Sequence, residues 1–149
     1  MKKKLKEIFA SLFHLNNTPR EIALGTAIGV FIAILPLYGL HTILVIIAAI
    51  FVRPANKIAM LLGTNISLPP TIPFITWAGY AIGRFVLKNK FPPLTWGDFR
   101  NITWQKITNL YPPLFLGSAI LGLICAIIFY FLTLFLVKRL KERKIRAGI

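Results

Sequence analysis

Two short stretches of this chain hold nearly all the side chains that could do chemistry away from its charged ends. The first is Tyr38, Gly39, His41 and Thr42, two residues after Pro36. The second is Thr64, Asn65 and Thr71, in a passage broken by Pro69, Pro70 and Pro73. These groups are polar and uncharged at neutral pH, suited to hydrogen-bonding a ligand rather than to splitting one. Each group sits where a proline interrupts an apolar helix, and such a break frees backbone N–H and C=O groups. In a lipid setting those groups are tolerated only where protein or a water-filled cavity satisfies them. The helix leaving each break also turns its positive end toward it. Together these features describe a place for an anion such as a phosphate, with no cofactor. The plainer alternative is that His41 caps the next helix or bonds a freed carbonyl of its own chain, and that Thr64 and Asn65 serve packing.

Catalysis has little to work with. The four acidic residues, Glu7, Glu21, Asp98 and Glu142, all lie outside the apolar segments. A proton relay through a membrane carboxylate therefore has no candidate. There is no paired carboxylate, no His/Cys set at metal-binding spacing, no glycine-rich phosphate loop and no nucleophile elbow. The expectation is a protein that is not an enzyme, with no metal site. The single cysteine, Cys125, has no internal disulfide partner.

The 149 residues are 56% hydrophobic and 15% charged, against roughly 25% charged in a soluble domain. No charged residue occurs from Ile22 to Val52, nor from Leu114 to Val137. The second run is ~36 Å long as a helix, enough for a hydrocarbon core of about 30 Å. The net charge of +14 is concentrated at the ends, in Lys2, Lys3, Lys4 and Lys6 and from Lys138 to Arg146. Basic flanks on apolar segments mark the cytoplasmic side and attract anionic lipid. They do not form a nucleic-acid module.

The expected architecture is all-α and multi-pass, in a cell (inner) membrane with cytoplasmic termini. Residues 1–17 form a basic amphipathic interfacial helix, retained rather than cleaved as a signal peptide. A membrane domain covers 18–137. Its first broken-helix unit (18–53) opens on a capping box at Thr18 and Glu21 with Pro19 in the first turn. A second unit covers 55–87, an interfacial loop 88–113, and a transmembrane helix 114–137; 138–149 is a basic tail. Both units are expected to be hairpins, re-entrant or short-spanning. Gly25 and Gly29, and Gly79 and Gly83, stand four apart, a spacing that lets helices approach closely. Arg53 and Arg84 are placed to meet anionic headgroups. "LGTAI" at 24–28 and "LGTNI" at 62–66 raise the possibility of an internal repeat, as in transporters built from broken helices.

Residues Thr18–Thr42 resemble the prokaryotic membrane family known as domain of unknown function 2062. The likeness rests on Pro19, Arg20, Ala23, Leu24, Gly25, Gly29, Phe31, Pro36, Gly39, His41 and Thr42. It extends more loosely through Gly63, Thr64, Pro69, Thr71, Pro73, Tyr80 and Gly83, where Leu68 replaces the family's usual Asn before proline. The resemblance implies a small inner-membrane protein, sometimes attached to enzymes acting on lipid-linked sugars. The expected function is a small transporter or flippase-like protein, a homo-oligomer handling an anionic, lipid-phosphate substrate at its paired breaks. The alternative is a non-transporting anchor or scaffold for a partner protein.

Overall fold

The computed structural model describes residues 17–37, 39–66, 70–93, 97 and 104–146. Among them are five α-helices, one 3-10 turn and no strand: α1 Pro19–Ile34, α2 His41–Phe51, α3 Lys57–Gly63, the 3-10 turn Thr64–Ile66, α4 Ile72–Val86 and α5 Trp104–Arg146. The expected amphipathic helix at the N-terminus lies outside the described residues.

α1 begins as its sequence dictates. The Thr18 amide donates to Glu21 Oε2 at 2.8 Å, and the Glu21 amide donates to Thr18 Oγ1 at 3.3 Å, closing the capping box. Pro36 ends the helix, because the residue before a proline is forced out of the helical region; Leu35 is extended at φ −64°, ψ 138°. The chain then doubles back. α2 packs on α1 through Val45, Leu44, Ala48 and Val52, against Ile32, Ile28 and Leu24. By Asn56 the backbone is again beside the start of α1, where the Asn56 amide donates to the Glu21 carbonyl at 2.9 Å. α1 and α2 are thus an antiparallel hairpin.

α3 runs parallel to α1. Asn56 backbone faces Gly25, and Met60 and Gly63 face Gly29. A Cβ on Gly25 or Gly29 would collide with the carbonyl oxygen of Asn56 or Met60. The glycine spacing expected to permit close approach does so here, backbone against backbone. Asn56 also caps α3, its Oδ1 accepting from the Ala59 amide at 2.8 Å.

α5 is the spine of the molecule. Its 43 residues extend ~65 Å, and both α1 and α4 lie antiparallel to it. Phe31 of α1 meets Gly122, and Ile22 lies in one cluster with Val137. Gly79 and Gly83 of α4 meet Ser118 and Pro113. α3 and α4 therefore run in the same direction, so the second unit is not a hairpin as expected from its prolines. Its break offsets two helices that continue the same way. The internal likeness of residues 24–28 and 62–66 does not extend to conformation either: the first is wholly α-helical, and the second passes into the 3-10 turn at Thr64.

Two boundaries also differ from expectation. α5 starts at Trp104 and runs through Pro112 and Pro113, which the sequence pattern assigned to an interfacial loop. The prolines remove two helical amide donors, yet Pro113 is fully buried and its carbonyl is seated on Gly83, so packing holds the helix together there. At the other end, 138–146 is not a separate tail but the last turns of α5. Lys141 Nζ reaches back to the Asn17 carbonyl at 2.8 Å, tying the helix to the start of α1.

α5 is long and apolar enough to cross a membrane, and only 17% of its most apolar window is buried. It is not the enclosed core helix of a soluble protein. Leu123, Ile127, Ile128, Phe131 and Phe135 all face outward. α2 is equally bare, with Val45 its one buried residue, while Ile46, Ile50 and Phe51 are exposed. Apolar exposure of this extent on two helices is unusual for a water-facing monomer.

Candidate functional site

The first break is a compact turn. The Leu37 amide donates to the Leu35 carbonyl at 2.8 Å, and the Leu40 amide to the Leu37 carbonyl at 3.0 Å. Gly39 completes the reversal at φ +87°, with open space around its missing Cβ, so its role is conformational. His41 Nε2 lies 3.3 Å from the Leu35 carbonyl oxygen, half-buried. His41 therefore spans the break and adds a second hydrogen bond to a carbonyl that already accepts from the Leu37 amide. Thr42 is exposed beside it. Tyr38 lies outside the described residues. α2 has no side-chain N-cap, since its cap position is Leu40.

The second break treats its carbonyls similarly. Thr64 Oγ1 donates to the Leu61 carbonyl at 2.7 Å, and Asn65 Nδ2 approaches the same oxygen at 3.5 Å. Thr71 is the N-cap position of α4. Pro73 does not break a helix; it lies in the first turn of α4, where a missing amide costs nothing. Pro70 is exposed in the turn before Thr71, and Pro69 lies outside the described residues.

Both breaks belong to the same end of α1. The first follows its last residue, and the 3-10 turn of the second packs against it. Phe31 meets Gly122 and Gly79 meets Ser118, which puts both breaks alongside the uncharged 114–137 run. His41 and Thr42 on one break, and Thr64, Asn65 and Thr71 on the other, thus lie alongside the uncharged stretch of α5.

Arg53 and Arg84 are at opposite ends. Arg53 is exposed where α2 ends, close to the start of α1. Arg84 lies in the last turn of α4, its Nε donating to the Phe91 carbonyl at 2.8 Å. Nearby, buried Tyr80 donates its hydroxyl to the Pro92 carbonyl at 2.7 Å. Arg84 and Tyr80 together hold the segment leaving α4.

One feature escaped the sequence reading. A groove of about 600 Å³ runs between α1, α3 and the C-terminal third of α5, lined by Ile22, Thr26, Ala59, Leu62, Thr133, Leu136, Val137 and Leu140, with Arg139 and Arg143 at one end. Arg139, Arg143 and Arg146 form a smaller charged recess with Glu142. The signal was present: these arginines stand at i, i+4 and i+7, one face of a helix. It was hidden in what looked like a uniformly basic tail. Among the described residues no three His, Cys, Asp or Glu side chains come together to hold a metal ion.

The family model described as "Uncharacterized protein conserved in bacteria (DUF2062)" matches residues 2–146, nearly the whole chain. No curated protein and no solved structure matches.

Proposed function

This chain belongs to the DUF2062 family, and we propose that it is a small inner-membrane transporter or flippase-like protein for an anionic, phosphate-bearing lipid. The observation that carries this reading is that both helix breaks lie alongside the uncharged run of α5, away from its charged end. Broken helices at mid-membrane depth are where transporters of many folds place their polar sites. Here His41, Thr42, Thr64, Asn65 and Thr71 stand at the breaks; His41, Thr64 and Asn65 each bond a carbonyl of their own chain, and Thr42 is exposed beside His41.

In this reading α1 and α2 are a re-entrant hairpin, α3 and α4 one broken crossing, and α5 the return. Two crossings put the start of α1 and the end of α5 on one side. α1 at 16 residues and α2 at 11 fall below the ~20 residues of a full span. Arg20, Arg53, Lys57, Lys138, Arg139, Lys141 and Arg143 gather at one end of the helices, with Arg84, Lys88, Lys90 and Lys106 at the other. By the positive-inside rule the first end is cytoplasmic.

The test is movement of fluorescent phosphatidylglycerol across liposomes holding the purified protein, with phosphatidylcholine as the uncharged-headgroup comparison. Faster crossing of the anionic lipid is expected. A rate equal to that of empty liposomes excludes lipid transport. The scaffold reading is favoured by the exposed apolar face of α2, which offers Ile46, Ile50 and Phe51 to a neighbour. It gains if one partner co-purifies stoichiometrically and liposome transport is absent.

A further inference from the structure

We propose that the groove between α1, α3 and the C-terminal third of α5 is a binding site for an anionic phospholipid, one acyl chain lying in the groove and the phosphate held by Arg139 and Arg143. This rests on the membrane placement proposed above, but not on transport at the helix breaks.

The groove is chemically two-ended, as such a lipid is. One wall is apolar through Ile22, Ala59 and Leu62, the other through Leu136 and Leu140. The one hydroxyl on the α1 wall is turned inward, since Thr26 Oγ1 donates to the Ile22 carbonyl at 3.0 Å. That surface therefore presents carbon to an acyl chain. The charged end begins two residues after the uncharged run of α5 stops at Val137. In a bilayer this is the depth of the phosphates, where arginine is favoured.

The arginines are also held for the task. The Arg139 guanidinium carbon lies 4.5 Å from the Phe135 ring centroid, a stacking that limits its rotamers. Arg143 is one helical turn on, and Arg146 completes the same face. Glu142 shares the recess, leaving three guanidiniums against one carboxylate. Lys141 is engaged with Asn17, so it braces the groove instead of competing for its ligand. Two guanidiniums one turn apart match a phosphate, whose oxygens accept several N–H bonds at once.

The experiment is native mass spectrometry of the full chain in detergent, offered equal phosphatidylglycerol and phosphatidylcholine. Wild type is expected to retain the anionic lipid in excess. In R139Q/R143Q that excess falls roughly thirtyfold, the order expected for two cations near one phosphate. R20Q/K57Q removes equal charge elsewhere at the same end, from two exposed side chains, and keeps the excess. Leu62→Trp fills the apolar wall, leaves every charge in place, and lowers retention of both lipids. Glycerol phosphate, which lacks acyl chains, does not displace the bound lipid. Equal losses in the two charge variants, no anionic preference in wild type, unchanged retention in Leu62→Trp, or displacement by glycerol phosphate each overturn the proposal. Selective binding in a protein that moves no lipid in liposomes would instead sink only the transport reading.

Discussion

The carbonyl oxygen of Pro113 lies against the Cα of Gly83, so close that no side chain fits between α4 and α5 there. Gly117 faces Gly79 and Gly83 on the same seam. The contact joins a helix end to the one point on α5 where prolines interrupt the hydrogen-bond ladder.

Gly83→Ala should therefore cost stability toward the upper end of the ~1–3 kcal/mol typical of overpacking. The atom it would strike is backbone, which cannot swing aside. Gly39→Ala should cost less, about 1 kcal/mol from its left-handed φ alone, since nothing lies within 4 Å. Thermal unfolding in detergent ranks the two. A Gly83→Ala protein as stable as wild type would mean the helices do not touch there.

Asn56 is 5% exposed, and its Oδ1 caps α3 while its own amide joins Glu21. Asn56→Ala should lose ~1 kcal/mol, the usual worth of an N-cap, and Asn56→Ser should recover most of it. Equal unfolding temperatures for the two variants would remove the cap from the account of α3.

His41 and Thr42 separate structure from function at the first break. His41→Ala should lose about 1 kcal/mol through the bond to Leu35, whereas exposed Thr42→Ala should stay within ~0.5 kcal/mol of wild type. Slower lipid movement in Thr42→Ala at unchanged stability would tie the break to transport. Unchanged transport in both variants would leave the break a turn only.

The proposed two-crossing topology would put Lys88 and Lys138 on opposite faces of the bilayer. Single cysteines at these positions, in a Cys125→Ser background, should react with an impermeant maleimide from opposite sides of intact cells or inverted vesicles. Labelling of both from the same side would refute the paired crossings.

Much of this arrangement was written in local chemistry. Thr18, Pro19 and Glu21 specify the start of α1, Pro36 and Gly39 its end and reversal, and the paired glycines their close seams. These are signals a few residues long, each tied to one backbone requirement. Direction was not legible in the same way. "SLPPTIP" looks as able to turn a chain back as Pro36–Gly39 does, but whether it does so depends on α5, to which α4 is bound through Gly79 and Gly83. Likewise Pro112 and Pro113 look like the end of a loop until Gly83 is seen to receive the carbonyl between them and Leu114. The groove was illegible for the same reason. Its walls come from residues 22–26, 59–62 and 133–143, and no local pattern says that these meet.

The spine of the molecule is synthesised after every helix that packs on it. α1 finds its long packing surface only when residues beyond Gly122 have left the ribosome, about 100 residues after α1 itself. Until then two sub-length apolar helices must wait with their faces uncovered, the exposure that invites misassembly and chaperone capture. The cell should therefore feel a truncation before α5, or a slow insertion of it, as a defect in the whole protein rather than the loss of one segment.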